Sequence, residues 1–167
     1  AEEYLEMIRL KTAVLLAASL KIGARLGGAS VEDADRLYDF GMHIGVAFQL
    51  KDDLLDVYGN AKVFGKNIGG DILCNKKTYM LIKALEHANA DQHNQLNSWI
   101  NAETFQPAEK IAAVTELYDR IGVKAVCENK ILEYSNRAME SLAAVSIAEE
   151  KKEELKKIIE NLIHREV

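Results

Sequence analysis

The chain has 167 residues, of which 49% are hydrophobic and 28% charged, a balance that excludes intrinsic disorder and allows a real core. Its single proline, Pro107, excludes an all-β sandwich or barrel, which needs many Gly/Pro turns, and suits long helices. With 21 basic against 26 acidic residues the net charge is −5, which excludes nucleic acid as the expected partner.

Helical periodicity begins at once. From Glu3 to Leu26 the residues Leu5, Ile8, Thr12, Leu15, Leu16 and Leu20 recur at three- and four-residue steps, predicting one helix with that apolar stripe. Its most apolar part, Ala13 to Leu20, is far shorter than the ~20 residues that span a bilayer, so membrane insertion is not expected. The opening residues also lack the basic region of a secretory signal. Gly27-Gly28 should stop this helix, and Ser30 with Asp33 resembles a capping box that starts the next.

The second helix is predicted from Val31 to Tyr58, about 40 Å at 1.5 Å per residue. Its later half is apolar nearly all round, through Phe40, Ile44, Val46, Phe48, Leu50, Leu54 and Val57, as befits the middle of a bundle. After Gly59 come Gly65, Gly69 and Gly70. Helices are then expected from about Asn75 to His87, Asp91 to Ala102, Pro107 to Ile121 with proline in its first turn, Val123 to Val145 and Ala148 to Arg165. In the last, Glu149 to Lys157 reads as a solvated charged face with Glu153 and Lys157 paired at i,i+4. Cys74 and Cys127 sit in no metal-binding spacing and are expected to be reduced thiols of a cytoplasmic protein.

The chemistry concentrates in Phe48-Gln-Leu-Lys-Asp-Asp-Leu-Leu-Asp56. At about 100° per residue, Gln49, Asp52, Asp53 and Asp56 share one stripe of a helix. Aspartates at i,i+4 repel, and burying a carboxylate costs several kcal/mol unless a cation compensates. Hard carboxylate oxygens suit Mg²⁺, which prefers to share its shell with water and phosphate. The competing reading is a solvated acidic turn. The following loop supplies the opposite sign, with Lys62, Lys66, Lys76 and Lys77 against Asp71 alone between Gly59 and Thr78. Such a loop either grips a polyanion or is a plain surface loop. Lys11-Thr12, amid apolar residues, either reaches a ligand or merely snorkels to water.

In order, Lys11-Thr12, Phe48-Gln-Leu-x-Asp-Asp-x-x-Asp56, Gly65-Lys66-Asn-Ile-Gly-Gly-Asp71 and Asn75-Lys-Lys-Thr78 resemble the C-terminal half of trans-isoprenyl diphosphate synthases, the polyprenyl synthetases. The aspartate block matches that family's second Asp-rich motif. The resemblance implies an all-α helical bundle of the isoprenoid (terpenoid) synthase fold, residues 1–167 forming one part of it, usually as a homodimer. It implies Mg²⁺ on Asp52, Asp53 and Asp56, and an allylic diphosphate held by Lys11, Lys66 and Lys76. Thr12 and Gln49 would line the place where positive charge develops. The implied reaction joins the allylic diphosphate to isopentenyl diphosphate, with loss of a proton.

The chain departs from the family in lacking any other Asp-Asp-x-x-Asp motif, and Asn67 stands where many relatives carry an acid. Family members are also considerably longer. The expectation is therefore a C-terminal portion of a synthase that is inactive alone and exposes an apolar face. The alternatives are a non-catalytic partner subunit and a class I terpene cyclase-like enzyme.

Overall fold

A computed structural model describes residues 1–60 and 68–163. Every regular element among them is helical, and no strand occurs there. The elements are α1 (Glu2–Ile8), a π-helical turn (Arg9–Ala13), α2 (Val14–Leu26), α3 (Val31–Tyr58), α4 (Gly70–Leu73), α5 (Tyr79–His87), α6 (Ala90–Ile100), α7 (Pro107–Ile121), α8 (Val123–Ala143), a 3₁₀ turn (Glu149–Lys151) and α9 (Glu153–Ile163). The chain divides into two compact units. One comprises Glu2–Lys51 with the described residues from Asn129 onward; the other is centred on Asp52–Glu128.

In the first unit the predicted helix of Glu3–Leu26 is interrupted by the π turn, and its buried stripe is Tyr4, Ile8, Ala13 and Ala17. The expected leucine stripe is thus corrected, since Leu15 is 75% and Leu16 41% exposed. Small residues face inward because α3 approaches within backbone contact. A Cβ on Gly45 would lie 2.6 Å from Ala13 Cα, and one on Gly41 2.6 Å from Ala17 Cα. Only glycine against alanine fits there. The α3 residues Phe40, Ile44, Val46, Ala47 and Leu50 are buried as expected, whereas Phe48 is exposed.

The helix stops at the expected glycines, with Gly28 at φ +84°. The capping box at Ser30 is only half formed. Ser30 Oγ accepts the Asp33 N–H at 3.0 Å, but the Asp33 carboxylate turns to the Ser146 N–H at 2.9 Å and to Arg36. That backbone N–H, more than the Arg36 charge, holds the Asp33 carboxyl below its ordinary range. The expected solvated face over Glu149–Lys157 is exposed at most positions, with Lys152 as the buried exception. Lys152 is 2% exposed and donates to Ala143 O at 3.0 Å, at the end of α8, and to Glu149 at 2.7 Å. Lys157 pairs with Glu154, and Glu153 with Lys156, in place of the Glu153–Lys157 pair.

In the second unit α7 is the hub, packing on α4, α5 and α6 through an apolar stripe that includes Val114, Leu117 and Tyr118. Pro107 starts it and Gly122, at φ +83°, ends it, both as read from the sequence. Two differences stand out. Helix α4 was not expected, and α5 begins at Tyr79 rather than near Asn75. Thr78 is the cap: its extended backbone cannot continue a helix upstream, and its Oγ1 accepts the Leu81 N–H at 3.3 Å. Asn75 stands at φ +52°, outside any helix.

Candidate functional site

The carboxylate cluster lies in the second unit. Helix α3 presents Asp53 and, three residues later, Asp56. Asp53 is 2% exposed, and its Oδ1 accepts from Lys76 Nζ at 3.1 Å. The same ammonium donates to Asp71 Oδ2 at 2.8 Å. The Asp71 N–H, in the first turn of α4, donates to Asp56 Oδ2 at 2.8 Å, and the Gly69 N–H donates to Asp56 O at 2.6 Å. Gly69 makes this approach possible with φ +84° and no side chain; a Cβ there would meet Ile111 at 2.6 Å.

Burial works against the Lys76 ammonium, but the carboxylates of Asp71 and Asp53 outweigh it and push its pKa up to about 12. Burial also raises Asp56 above the ordinary carboxylate range, with the Asp71 N–H partly offsetting it and the charges of Asp71 and Asp53 adding to it. The cluster is therefore rich in negative charge, and Lys76 is a cation that bridges two of its carboxylates. Asp52 is half-buried on the same helix, and Lys77 is exposed.

The first unit holds the remaining described candidates. Lys11 and Thr12 fall inside the π turn, an uncommon geometry that recurs at functional sites. The Thr12 hydroxyl donates to Gln49 Oε1 at 3.2 Å, across the close contact that Gly45 and Ala13 allow. Lys11 is exposed. The structure thus joins Asp53, Asp56, Asp71 and Lys76 in one cluster and Thr12 with Gln49 in another. Lys62, Gly65, Lys66 and Asn67 lie outside the described residues. Lys76, expected on a diphosphate, is seated on two carboxylates.

Among the described residues no three acidic, histidine or cysteine side chains converge closely enough to hold a metal by themselves. The donor chemistry nevertheless fits Mg²⁺. The oxygens are hard, Asp53 already binds a cation, and Mg²⁺ takes one or two carboxylates plus water and phosphate rather than an all-protein cage. Sequence reasoning quoted Asn75 in a motif but gave it no role and missed the left-handed backbone that turns the chain before Lys76, and it missed Lys110 on α7. The available signal for Lys110 was a lysine on the stripe that continues with Val114, Leu117 and Tyr118.

Comparison with known proteins places this arrangement in a family. The polyprenyl synthetase family model matches residues 1–118. The short chain isoprenyl diphosphate synthase of Methanothermobacter thermautotrophicus is 36% identical over 165 residues, covering 99% of this chain and 50% of that protein. A crystal structure of a geranylgeranyl pyrophosphate synthase superposes with a TM-score of 0.91 at 35% identity, over 100% of this chain and 52% of that one. The geranylgeranyl pyrophosphate synthase of Corynebacterium glutamicum, complexed with isoprenyl diphosphate and magnesium, gives 0.87 at 31% identity, over 98% of this chain and 46% of that one. The chain belongs to the polyprenyl synthetase family, a family of prenyltransferases, and has the all-α isoprenoid synthase fold. It spans about half the length of the curated relatives it matches.

Proposed function

We propose that this chain carries the second diphosphate–metal half-site of a prenyltransferase that joins an allylic diphosphate to isopentenyl diphosphate, and that alone it does not turn over. The observation that carries this reading is the partly buried cluster of Asp53, Asp56, Asp71 and Lys76 in a chain of this family. Asp52 would ligate Mg²⁺, with Asp53 and Asp56 completing or supporting that side, and the ion when bound would stabilise the negative charge of a departing diphosphate. Lys11 and Lys66 bind and orient that diphosphate as point charges, with Lys76 at its edge. As the allylic C–O bond breaks, positive charge develops on carbon. The oxygens of Thr12 and Gln49, held together by their hydrogen bond, face that charge. The isopentenyl double bond then forms the new C–C bond, and a proton leaves.

The half-length match supports inactivity of the chain alone, because relatives of twice its length are the synthases. The reading further places the chain in the cytoplasm as a homodimer. No helix among the described residues is long and apolar enough to cross a membrane.

Calorimetric titration of the chain with inorganic diphosphate tests the half-site. Binding is expected only with Mg²⁺ present, and is expected to weaken at least about tenfold in Asp52→Ala and Asp53→Ala. Mg²⁺-independent binding, or binding unchanged in both variants, overturns the half-site. Turnover of an allylic diphosphate with isopentenyl diphosphate by this chain alone overturns the inactivity.

A further inference from the structure

Lys110 is a buried lysine that pairs with no carboxylate among the described residues. It is 1% exposed, in the first turns of α7, where an apolar side chain of equal length would fill the space without burying a charge. Its ammonium donates to Asn75 Oδ1 at 2.8 Å and lies 4.2 Å from the centre of the Phe105 ring. Burial alone pulls its pKa below the ordinary lysine value. A group kept at such expense is doing something through the one polar atom that it holds.

That atom belongs to the only non-glycine residue at positive φ among the described residues. A left-handed backbone is unfavourable for an L side chain, and asparagine tolerates it best when its amide is tied down. Here both ends of the amide are tied. Asn75 Oδ1 accepts from Lys110, and Nδ2 donates to Ile100 O at 3.0 Å, at the end of α6. The turn so fixed is immediately followed by Lys76, whose N–H returns to Asp71 O at 2.9 Å and whose ammonium bridges Asp53 and Asp71. Lysine is a flexible four-carbon stem, so its placement on two carboxylates depends on where the backbone launches it.

We infer that Lys110 is a positioning residue for the carboxylate cluster, acting through Asn75 to fix the turn that carries Lys76 onto Asp53 and Asp71. Its consequence for ligand binding rests on the half-site reading above; the relay itself does not.

The test follows the ¹H–¹⁵Nζ signal of the Lys76 ammonium in the full chain, which is sharp when the group is held in ion pairs and broadens when it exchanges freely with water. The wild type, Lys110→Met, Asn75→Ala and the conservative Lys110→Arg are compared, with circular dichroism reporting the fold. The expected result is loss of the Lys76 signal in Lys110→Met and Asn75→Ala with helicity retained, and its retention in Lys110→Arg. Affinity for inorganic diphosphate with Mg²⁺ should fall about tenfold in the first two and stay within about twofold of wild type in the third. A Lys76 signal unchanged in Lys110→Met and Asn75→Ala overturns the inference, even if both variants are less stable. If Lys110→Met does not fold, Asn75→Ala decides alone. If the wild type binds no diphosphate, the half-site reading falls while the Lys76 signal still judges the relay.

Discussion

Asp56 is a carboxylate that the folded chain holds against its own preference. Burial raises its pKa, so the folded chain binds this proton more tightly than the unfolded chain does. The ionised group therefore lowers stability at neutral pH, and the penalty is relieved as pH falls through the folded pKa toward the ordinary value of 3.8. Asp56→Asn keeps an oxygen to accept the Asp71 N–H and removes the charge. The expected outcome is a Tm raised by a few degrees at pH 7, with the advantage shrinking as pH falls toward 4, measured by thermal unfolding across that range. Lys76 has the opposite linkage. Its pKa is raised, so its contribution is complete below about 10.5 and is lost as pH rises through about 12. Lys76→Met leaves Asp53 buried without this partner and should cost about 2 kcal/mol at pH 7, the partial exposure of Lys76 keeping it below the value for a fully buried pair. Chemical denaturation checks this figure. The aspartates were legible in the sequence because acids so closely flanked by leucines stand out. Lys110 and the backbone of Asn75 were not, because a left-handed turn depends on partners from α6 and α7 that no local pattern encodes.

At the scale of elements, the packing of α2 and the π turn on α3 depends on two glycines. Alanine favours a helix over glycine by about 1 kcal/mol, so an isolated helix would gain from Gly45→Ala. Here the new methyl meets Ala13 backbone at 2.6 Å, and overpacking of this kind costs about 1–3 kcal/mol. The expected net outcome is a lower Tm, by about 5 °C, with Gly41→Ala behaving alike. A scan showing either variant more stable than wild type contradicts the close approach. Lys152 makes a second element-level prediction. Its buried ammonium satisfies the Ala143 carbonyl at the end of α8, and Lys152→Met should cost about 1–3 kcal/mol, seen as a lower denaturation midpoint. The existence and order of the helices other than α4 were legible because 3.6-residue periodicity is strong outside the Gly59–Gly70 stretch. The inward face of the first helix was not, since its packing is by alanine against glycine and its leucines carried the hydrophobic signal elsewhere.

At the scale of the whole molecule, the two units are helical and half as long together as the relatives they match. In the unit containing Glu2–Lys51, Leu10, Leu15, Ile22 and Leu26 are all more than half exposed, with Leu26 at 85%. Single exposed aliphatic side chains are ordinary, but four on the π turn and α2 mark a surface made to be covered. The expected outcome is self-association, with light scattering giving a mass above the 18.6 kDa of one chain; a monodisperse 18.6 kDa species would count against it. The family was legible at this scale because four motifs in fixed order are more specific than any of them alone.

The π turn adds one residue to one turn of a continuous helix, so the buried positions Tyr4, Ile8, Ala13 and Ala17 step by four, five and four. In phase terms, everything before Arg9 is rotated by about 100° relative to where an unbroken α-helix would put it. Deleting a single residue from Arg9–Ala13 would turn the segment into ordinary α-helix with steps of four throughout, keeping Tyr4 and Ile8 on their buried face, whereas winding the undeleted segment as α-helix would turn them off it. The segment therefore takes up one extra residue, carrying Lys11 and Thr12 in a widened turn while both flanks of the helix keep a common buried face.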